Sequence, residues 1–451
     1  MLRYRVTGPN NRVFTAHRWD IRPWVVLLAI CCCLSAASAQ WLETTVYLVG
    51  GPTRPQCLAY NSTNNTIYVG GDGNYCVIAI DGATNQKIAR IPTGLNVTAL
   101  CYNQQDNKVY CANYGIDNVT VIDGATNGVI ATVAAGVYPR ALCYNPTNNK
   151  VYCANDWSGN VTVIDGATNG VIATVAVGTL PWAICYNPTN NKVYCANNGS
   201  DNVTVIDGAG DSVLATVHTG QYPCALCYNP TNNKVCCANS GSDIVTVIDG
   251  ATNGVIATAA VSDYPYALCY NPQNNKVYCA NQRNEDVTVI DGASDTVITP
   301  VAAGVYPSAL CYNPTNNKVY CANQGSDDAT VIDGATNRVI TTIGVGDRPT
   351  DLVHNPRQNR VYVANYCDSS ISVLRDSGGG IEESFKPLAT SPNLEPTILS
   401  GASSVKRLVR GVVFDALGRR VLDPKPGIYF VREPSAVSRE PSATSKVIFT
   451  R

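Results

Sequence analysis

One short stretch, residues 141–155 with the sequence ALCYNPTNNKVYCAN, recurs along the chain at a fixed interval. Its first asparagine marks eight copies that are 42 residues apart, without insertion or deletion. The marker positions are Asn61, Asn103, Asn145, Asn187, Asn229, Asn271, Asn313 and Asn355. Two runs of strand-forming residues around an Asn- and Pro-rich turn predict a β-hairpin. A period of about 40–50 residues with several short strands is typical of a β-propeller, so the sequence predicts an all-β fold.

Each repeat contains four predicted strands. In residues 137–178 the apolar and β-branched runs are 141–145, 150–154, 161–164 and 171–177, which we name strands A, B, C and D. Asn, Pro, Gly and Asp occupy the turns between them, as the backbone preferences of strands and turns require. Four antiparallel strands joined by short loops form one blade of a propeller.

The two ends of the array predict how the ring closes. The last copy has strands A, B and C but breaks into a Gly-rich segment where strand D would begin. A strand-like segment, residues 44–49, precedes the first copy at the place of a strand D. Pairing of these two ends would remove open sheet edges, which otherwise invite aggregation. We therefore predict an eight-bladed propeller of four-stranded blades, closed by an N-terminal strand.

The segments that flank the propeller, residues 40–376, differ from it in composition. Residues 1–39 combine five arginines, an apolar run of 11 residues and a small-residue site before Gln40, the pattern of a cleaved signal peptide. The alternative is a membrane anchor, but the run is shorter than the roughly 20 residues of a spanning helix, so we expect no transmembrane segment in the mature chain. Residues 377–404 read as a linker. Residues 405–451 contain three strand-like runs and predict a small β-sandwich-like domain.

The charge of the propeller argues against one class of partner. Residues 40–376 carry 16 Lys and Arg against 25 Asp and Glu, a net charge of −9. Proteins that bind nucleic acid neutralise its phosphates with cationic side chains. We therefore expect no nucleic-acid partner.

Twelve cysteines form six pairs, each with one member in strand A and one in strand B, ten residues apart. The pairs are Cys101/Cys111, Cys143/Cys153, Cys185/Cys195, Cys227/Cys237, Cys269/Cys279 and Cys311/Cys321. If each hairpin turn centres on its middle asparagine, the two cysteines face each other within disulfide range. Free thiols that fill the blade interface as small apolar side chains are an equal alternative. Two opposed thiols without a histidine supply only half of a tetrahedral zinc site, so we expect no metal and no other cofactor.

No motif for a nucleophile or a phosphate-binding loop occurs in the sequence. The only histidines beyond residue 39 are His218 and His354, both at strand positions, where we expect them to be packed. The aspartate that precedes Gly in each C–D turn, such as Asp165, is expected to cap its own turn through its side chain.

Differences between the copies are concentrated in the B–C and D–A loops, which include Trp157 and Arg283. In a four-stranded meander these two sets of loops share one face of the disc, and loops on a rigid scaffold commonly carry recognition. Unconstrained drift is the alternative explanation. The residue just before each strand A varies most, and because strand A lines the central channel, these residues are predicted to ring its mouth. They are Gln56, Thr98, Arg140, Trp182, Cys224, Tyr266, Ser308 and Thr350.

The sequence VYVAN at residues 361–365, the SVL at 372–374 and the recurrent VIDGATN segment resemble the YVTN family of β-propeller repeats of bacterial and archaeal surface proteins. Cysteine replaces the family's valine in most copies, and family members often have seven blades. Many members have no known function, so the resemblance implies a fold rather than an activity.

The C-terminal residues resemble the sorting domain of the type IX secretion system. The similarity lies in the Asp-x-x-Gly-Arg pattern at 415–419, the Gly-Ile-Tyr-x-Val-Arg pattern at 427–432 and a terminal basic and apolar strand. With the signal peptide, this resemblance implies export through the periplasm of a Gram-negative-type bacterium to its surface or medium, with the secretion machinery as a partner. A small β-sandwich appendage without a sorting role is the alternative.

Three functions remain open on the sequence. The first is a non-catalytic scaffold that recognises a protein, peptide or glycan through the variable face. The second is an enzyme such as a lactonase or lyase, which would need convergent acid–base or metal groups at the channel mouth. The third is a structural component of a surface layer. Since the predicted ring offers only Arg140 and Cys224 as reactive types, the sequence favours the first.

Overall fold

The structure, a computed structural model, describes residues 40–376 and four short strands between residues 398 and 450. Residues 40–376 form 32 strands and no helix. These strands make eight antiparallel sheets of four strands each, arranged as a ring. The predicted eight-bladed propeller is therefore confirmed. The predicted signal peptide and most of the predicted linker lie outside the described residues.

The strand bounds repeat with the period of the sequence. In chain order they are β1 (Gln40–Tyr47); β2 (Arg54–Asn61), β3 (Thr66–Asp72), β4 (Cys76–Asp81) and β5 (Lys87–Pro92) in blade 1; β6 (Val97–Asn103), β7 (Lys108–Asn113), β8 (Asn118–Asp123) and β9 (Val129–Ala134) in blade 2; β10 (Pro139–Asn145), β11 (Lys150–Asn155), β12 (Asn160–Asp165) and β13 (Val171–Ala176) in blade 3; β14 (Pro181–Asn187), β15 (Lys192–Asn197), β16 (Asn202–Asp207) and β17 (Val213–His218) in blade 4; β18 (Pro223–Asn229), β19 (Lys234–Asn239), β20 (Ile244–Asp249) and β21 (Val255–Ala260) in blade 5; β22 (Pro265–Asn271), β23 (Lys276–Asn281), β24 (Asp286–Asp291) and β25 (Val297–Ala302) in blade 6; β26 (Pro307–Asn313), β27 (Lys318–Asn323), β28 (Asp328–Asp333) and β29 (Val339–Gly344) in blade 7; and β30 (Pro349–Asn355), β31 (Arg360–Asn365) and β32 (Ser370–Asp376) in blade 8.

The core lies between the blades. At the interface of blades 3 and 4, the buried Tyr152, Val161 and Val163 pack against Cys195 and Ile206 of the next blade. The strand B tyrosine is fully buried in most blades, where its ring supplies a large apolar area. Successive side chains of a strand point to opposite faces of the sheet, so each blade packs against both the preceding and the following blade.

Hydrogen bonds between side chains lock each blade to the next on the face of the A–B and C–D turns. The marker Asn145 accepts the N–H of Thr147 at 2.9 Å and donates to Oδ1 of Asn191 in blade 4 at 2.9 Å. Lys150 Nζ donates to the carbonyl oxygens of Gly208 and Ala209 in the same neighbouring blade. Several residues of these turns therefore have hydrogen-bond partners in the next blade, which favours a uniform turn sequence.

The predicted turn-capping aspartate is confirmed. Asp165 Oδ1 accepts the N–H and the hydroxyl of Thr168, each at 2.8 Å. Hydrogen bonds from the backbone and side chain of Thr168 lower the pKa of Asp165. The recurrent Asp-Gly turn is thus a structural element of the scaffold.

The ring closes as the two ends of the array predict. β1 pairs antiparallel with β32 and becomes the outer strand of blade 8, with a register shift between Leu42 and Thr44. Arg360 of blade 8 bridges Glu43 of β1 and the carbonyl oxygens of Gly82 and Ala83 in blade 1. The N-terminal strand therefore closes the sheet edge and also ties the last blade to the first.

Blade 8 has no C–D turn, and a buried ion pair replaces the contacts that this turn makes in other blades. Asp376, at the end of β32, accepts hydrogen bonds from Lys318 Nζ at 2.6 Å, Gln40 Nε2 at 3.0 Å and Asn313 Nδ2 at 2.7 Å. In other blades the lysine at this place bonds to turn carbonyls, as Lys150 does. A carboxylate replaces the carbonyls because the chain leaves the ring at this point.

The predicted opposition of the paired cysteines is wrong. The hairpin register pairs Asn187 with Lys192, which leaves a four-residue turn, so Cys185 faces Tyr194 while Cys195 faces Ile184. Because strand side chains alternate between faces, an offset of one residue sends the two thiols to opposite faces of the blade. Cys195 packs toward blade 3 and Cys185 toward blade 5. The same register recurs in each hairpin, and all twelve are free thiols: Cys101, Cys111, Cys143, Cys153, Cys185, Cys195, Cys227, Cys237, Cys269, Cys279, Cys311 and Cys321.

The chain divides into two units at residues 381 and 382. In the second unit the structure describes one sheet of β33 (Ile398–Ser400), β34 (Val412–Phe414), β35 (Ile428–Arg432) and β36 (Thr444–Thr450) in the order β33-β36-β35-β34. Three of these strands coincide with the strand-like runs of the sequence. β33 lies within the segment expected to be a linker and pairs parallel with β36.

Candidate functional site at the channel mouth

A cavity of about 620 Å³ lies at the channel mouth on the face of the variable loops. The eight A strands are neighbours around the ring and line the channel. The cavity is lined by seven of the eight predicted ring residues, Gln56, Thr98, Arg140, Trp182, Tyr266, Ser308 and Thr350. The structure thus brings together residues from seven different blades. Cys224, Trp157 and Arg283 do not line this cavity.

Hydrogen bonding divides the predicted ring into two groups. Thr98, Ser308 and Thr350 each donate their hydroxyl to a backbone carbonyl of the next blade around the ring, at 2.9, 3.0 and 3.2 Å. Gln56 and Cys224 make the same contact, to the carbonyl oxygens of Val97 and Pro265. Their polar groups therefore help to hold neighbouring blades together. Cys224 and Ser308 are both buried, and of the two only Ser308 lines the cavity.

The other three ring residues, Arg140, Trp182 and Tyr266, are large and make no such contact with the next blade. The guanidinium carbon of Arg140 lies 3.1 Å from the ring centre of Trp182, a stacked cation–π arrangement. Asp156 is the nearest acid, with 3.8 Å between its Oδ2 and an Arg140 nitrogen. Burial lowers the pKa of Arg140, and the opposing field of Asp156 partly offsets this effect.

Aromatic side chains continue outward from the cavity over the variable face. Tyr114 lines the cavity and stacks on Tyr138, with 4.5 Å between ring centres. Tyr138 meets Trp157 edge to face at 6.3 Å. Trp157 is 71% exposed, so this row of rings ends at the protein surface. A second group, in which Arg283 lies over Tyr264 at 4.4 Å, flanks Tyr266.

Five cavity residues were missed by the sequence reasoning: Asn96, Tyr114, Gln324, Arg348 and Tyr366. They fall into two further columns of the repeat, the residue after strand B and the residue two before each ring position. Asn96 and Arg348 belong to the second column, in which the backbone φ is about +50 to +60° in seven of the eight copies. Both columns lie in the variable B–C and D–A loops, but they vary less than the ring does: the second column has tyrosine in four of its eight copies.

Titratable groups also occur deeper in the channel wall. Asp351 replaces the alanine found at this strand A position in six other blades. Its carboxylate accepts a hydrogen bond from the N–H of Leu58 in blade 1 at 2.7 Å. It accepts a second one, at 2.8 Å, from the N–H of Leu352, the next residue in the chain. Burial raises the pKa of Asp351 to about 7, against the two hydrogen bonds that favour the charged form. His354 is half-buried as expected, whereas His218 is exposed, contrary to the expectation that it is packed.

Within residues 40–376, no group of three or more His, Cys, Asp or Glu is arranged to hold a metal ion. Nor does any part of the chain that the structure describes form a helix with the length and hydropathy needed to cross a bilayer.

Comparison with known proteins finds similarity to one type of propeller over part of the chain. Residues 188–386 match the family model described as a YNCE-like beta-propeller. No curated protein matches the chain. A chain of hydrazine synthase from Kuenenia stuttgartiensis superposes with a TM-score of 0.52 and 20% sequence identity, over 62% of this chain and 96% of that chain. At this identity the likeness concerns the fold alone. This chain contains an eight-bladed β-propeller whose later blades are similar to YNCE-like propellers.

Proposed function

We propose that this protein is a secreted or cell-surface β-propeller that acts as a non-catalytic binding scaffold, with the channel mouth as its ligand site. The observation that carries the proposal is the convergence of seven residues of the most varied column, with five residues of the variable loops, on one cavity. The turns of the opposite face are uniform, which is expected if only one face meets a ligand.

The chemical make-up of the cavity supports binding rather than catalysis. Its wall presents guanidinium, amide, hydroxyl and aromatic groups, including Arg140, Arg348, Gln324 and Tyr266. Such groups orient a bound molecule through hydrogen bonds and stacking. The lactonase or lyase alternative needs an acid–base pair at the mouth, and no observation on this cavity favours it.

A cavity-filling variant tests the proposal. Gln324→Trp would place an indole in the cavity, whereas Gln282→Trp changes the same column of the neighbouring blade 6, outside the cavity wall. The purified full chain is screened against glycan, peptide and surface-protein libraries. We expect at least one ligand whose binding is abolished by Gln324→Trp and retained by Gln282→Trp. A ligand that binds equally well to both variants would place the recognition site elsewhere.

We also propose that residues 405–451 direct the protein through type IX secretion, after export of the chain by its N-terminal signal. The support is the strand pattern of the sequence and the sheet formed by β33 to β36. Deletion of residues 405–451 in a host with this secretion system should leave the propeller in the periplasm. Fusion of residues 377–451 to a periplasmic reporter should carry the reporter to the surface or the medium. Normal secretion of the truncated protein would contradict the assignment.

A further inference from the structure

The guanidinium of Arg140 is held in place but is not hydrogen-bonded. It is stacked on Trp182, its side chain is 25% exposed, and its nearest charged neighbour, Asp156, is 3.8 Å away. Among the described residues none accepts a hydrogen bond from its five N–H donors. Stacking fixes the plane of the guanidinium and leaves its donor edge unused, which is the arrangement of a group prepared for a carboxylate or similar fork-shaped acceptor.

A second unpaired polar atom lies beside it. Oδ1 of Asp156 is buried and has no hydrogen-bond partner among the described residues. Asp156 is itself buried and does not line the cavity, so this oxygen is closed to a ligand there. Asp156 therefore acts on the charge of Arg140, and the group left to meet a ligand is the guanidinium.

The charge of the cavity favours an anion. Its wall includes two arginines, Arg140 and Arg348, and no acidic residue, although the propeller has a net charge of −9. A cationic cavity in an acidic disc concentrates anionic ligands at that position. Because Asp156 offsets part of the charge of Arg140, a monoanionic group such as a carboxylate suits the site better than a phosphate dianion.

The exposed aromatic row gives the shape of the rest of the ligand. Tyr114, Tyr138 and Trp157 lead from the cavity wall to the surface over contacts of 4.5 and 6.3 Å. The flat faces of these aromatic rings can stack on the C–H faces of sugar rings. The polar side chains beside them can form hydrogen bonds with the hydroxyls of successive sugar units.

We propose, on the basis of the binding role proposed above, that the ligand is an acidic oligosaccharide that carries uronic-acid carboxylates. One carboxylate binds the guanidinium of Arg140, and the adjoining sugar rings stack on the row from Tyr114 to Trp157.

The test compares each acidic oligosaccharide with its neutral counterpart. Trimers of galacturonate, glucuronate and mannuronate are titrated into the full chain by calorimetry, alongside the same trimers with reduced carboxyl groups. We expect at least one acidic trimer to bind about ten-fold or more tightly than its reduced form, because a charged hydrogen bond to Arg140 is lost on reduction. Equal affinity for the acidic and the reduced forms of every trimer would overturn the proposal, as would binding of acidic peptides alone.

Three variants locate the interaction. Arg140→Gln should weaken the acidic trimer by about ten-fold or more, and Arg140→Lys by less, since lysine keeps the charge but not the fork. Arg283→Gln is the matched control, because this arginine also stacks on an aromatic ring of the same face but lies outside the cavity. Equal losses in Arg140→Gln and Arg283→Gln would indicate general electrostatic attraction and overturn the proposal.

The cavity-filling variant separates this proposal from the broader one. If a reduced trimer or a peptide binds and Gln324→Trp abolishes that binding while Arg140→Gln does not, the acidic-saccharide proposal fails and the mouth remains the binding site. If Gln324→Trp leaves the binding of every ligand intact, both proposals fail.

Discussion

The carboxyl group of Asp351 should make the stability of the ring depend on pH. It lies where the last blade meets the first and accepts the N–H of Leu58 across that interface at 2.7 Å. Burial raises its pKa to about 7 from an ordinary value of 3.8. Between pH 4 and pH 7 the folded protein therefore keeps a proton that the unfolded chain has released. Stability must fall as the pH rises through this window.

The size of the effect follows from the pKa difference. A shift of about three units, at about 1.4 kcal/mol each, corresponds to about 4 kcal/mol of stability lost between pH 4 and pH 8. This figure is an upper limit, because the side chain of Asp351 keeps some contact with solvent in the channel. Asp351→Ala removes the titrating group and restores the alanine of six other blades. The variant should therefore gain stability relative to the wild type as the pH rises, by up to the same amount.

Urea denaturation of the full chain under reducing conditions, followed by circular dichroism at pH 4, 5, 6, 7 and 8, measures this difference. Asp263→Ala, in an exposed loop, is the control for a change of net charge alone. A stability difference between Asp351→Ala and wild type that stays constant across this range would refute the reasoning, as would an equal pH dependence in the control.

Three other predictions concern closure and the thiols. Asp376→Ala should lower the free energy of unfolding by about 3–5 kcal/mol, because Lys318, 4% exposed, would keep a buried charge without its partner; a loss below 1 kcal/mol in urea denaturation would contradict this. Deletion of residues 40–47 should expose the edge of β32 and cause aggregation in light scattering, and unchanged melting and solubility would show that β1 does not close the ring. Among residues 40–376 only Cys367 is an exposed thiol, and burial raises the pKa of the paired cysteines, for example that of Cys101 to about 12. A maleimide at neutral pH should therefore label Cys367 fastest within this range, with Cys367→Ser as the control; rapid labelling of Cys153 or Cys195 in native protein, mapped by peptide mass, would count against the buried placement.

The fold could be predicted because the same 42-residue unit occurs eight times in the sequence. A single hairpin such as residues 141–155 is ambiguous, but the 42-residue period fixes the number of blades, and the missing strand D fixes how they close. Register could not be predicted with the same certainty. The turn between Asn145 and Lys150 has four residues, and a difference of one in the assumed centre moves Cys153 from opposite Cys143 to opposite Leu142. Spacing alone does not distinguish these arrangements, because both keep the same strands.

The candidate site was predicted in position but not in chemistry. A sequence column shows that Thr98 and Arg140 occupy equivalent places, yet only the structure shows that the threonine hydroxyl is used by the next blade. Side-chain length decides the difference. A hydroxyl, thiol or amide at this position can reach the neighbouring carbonyl and stays at the blade interface, as in Thr98, Cys224 and Gln56.

Arg140, Trp182 and Tyr266 make no such bond to the next blade, and their large side chains line the cavity. The ring position therefore has two different roles in the same molecule. In five blades it contributes to the cohesion of the ring, and in blades 3, 4 and 6 it supplies Arg140, Trp182 and Tyr266 to the mouth. The same column thus varies for two reasons, and variation among copies becomes a guide to binding only after the residues that bond to the next blade have been set aside. This division leaves Arg140 on Trp182 as the centre of the candidate site, because it is the one charged side chain of the ring and its donors make no hydrogen bond among the described residues.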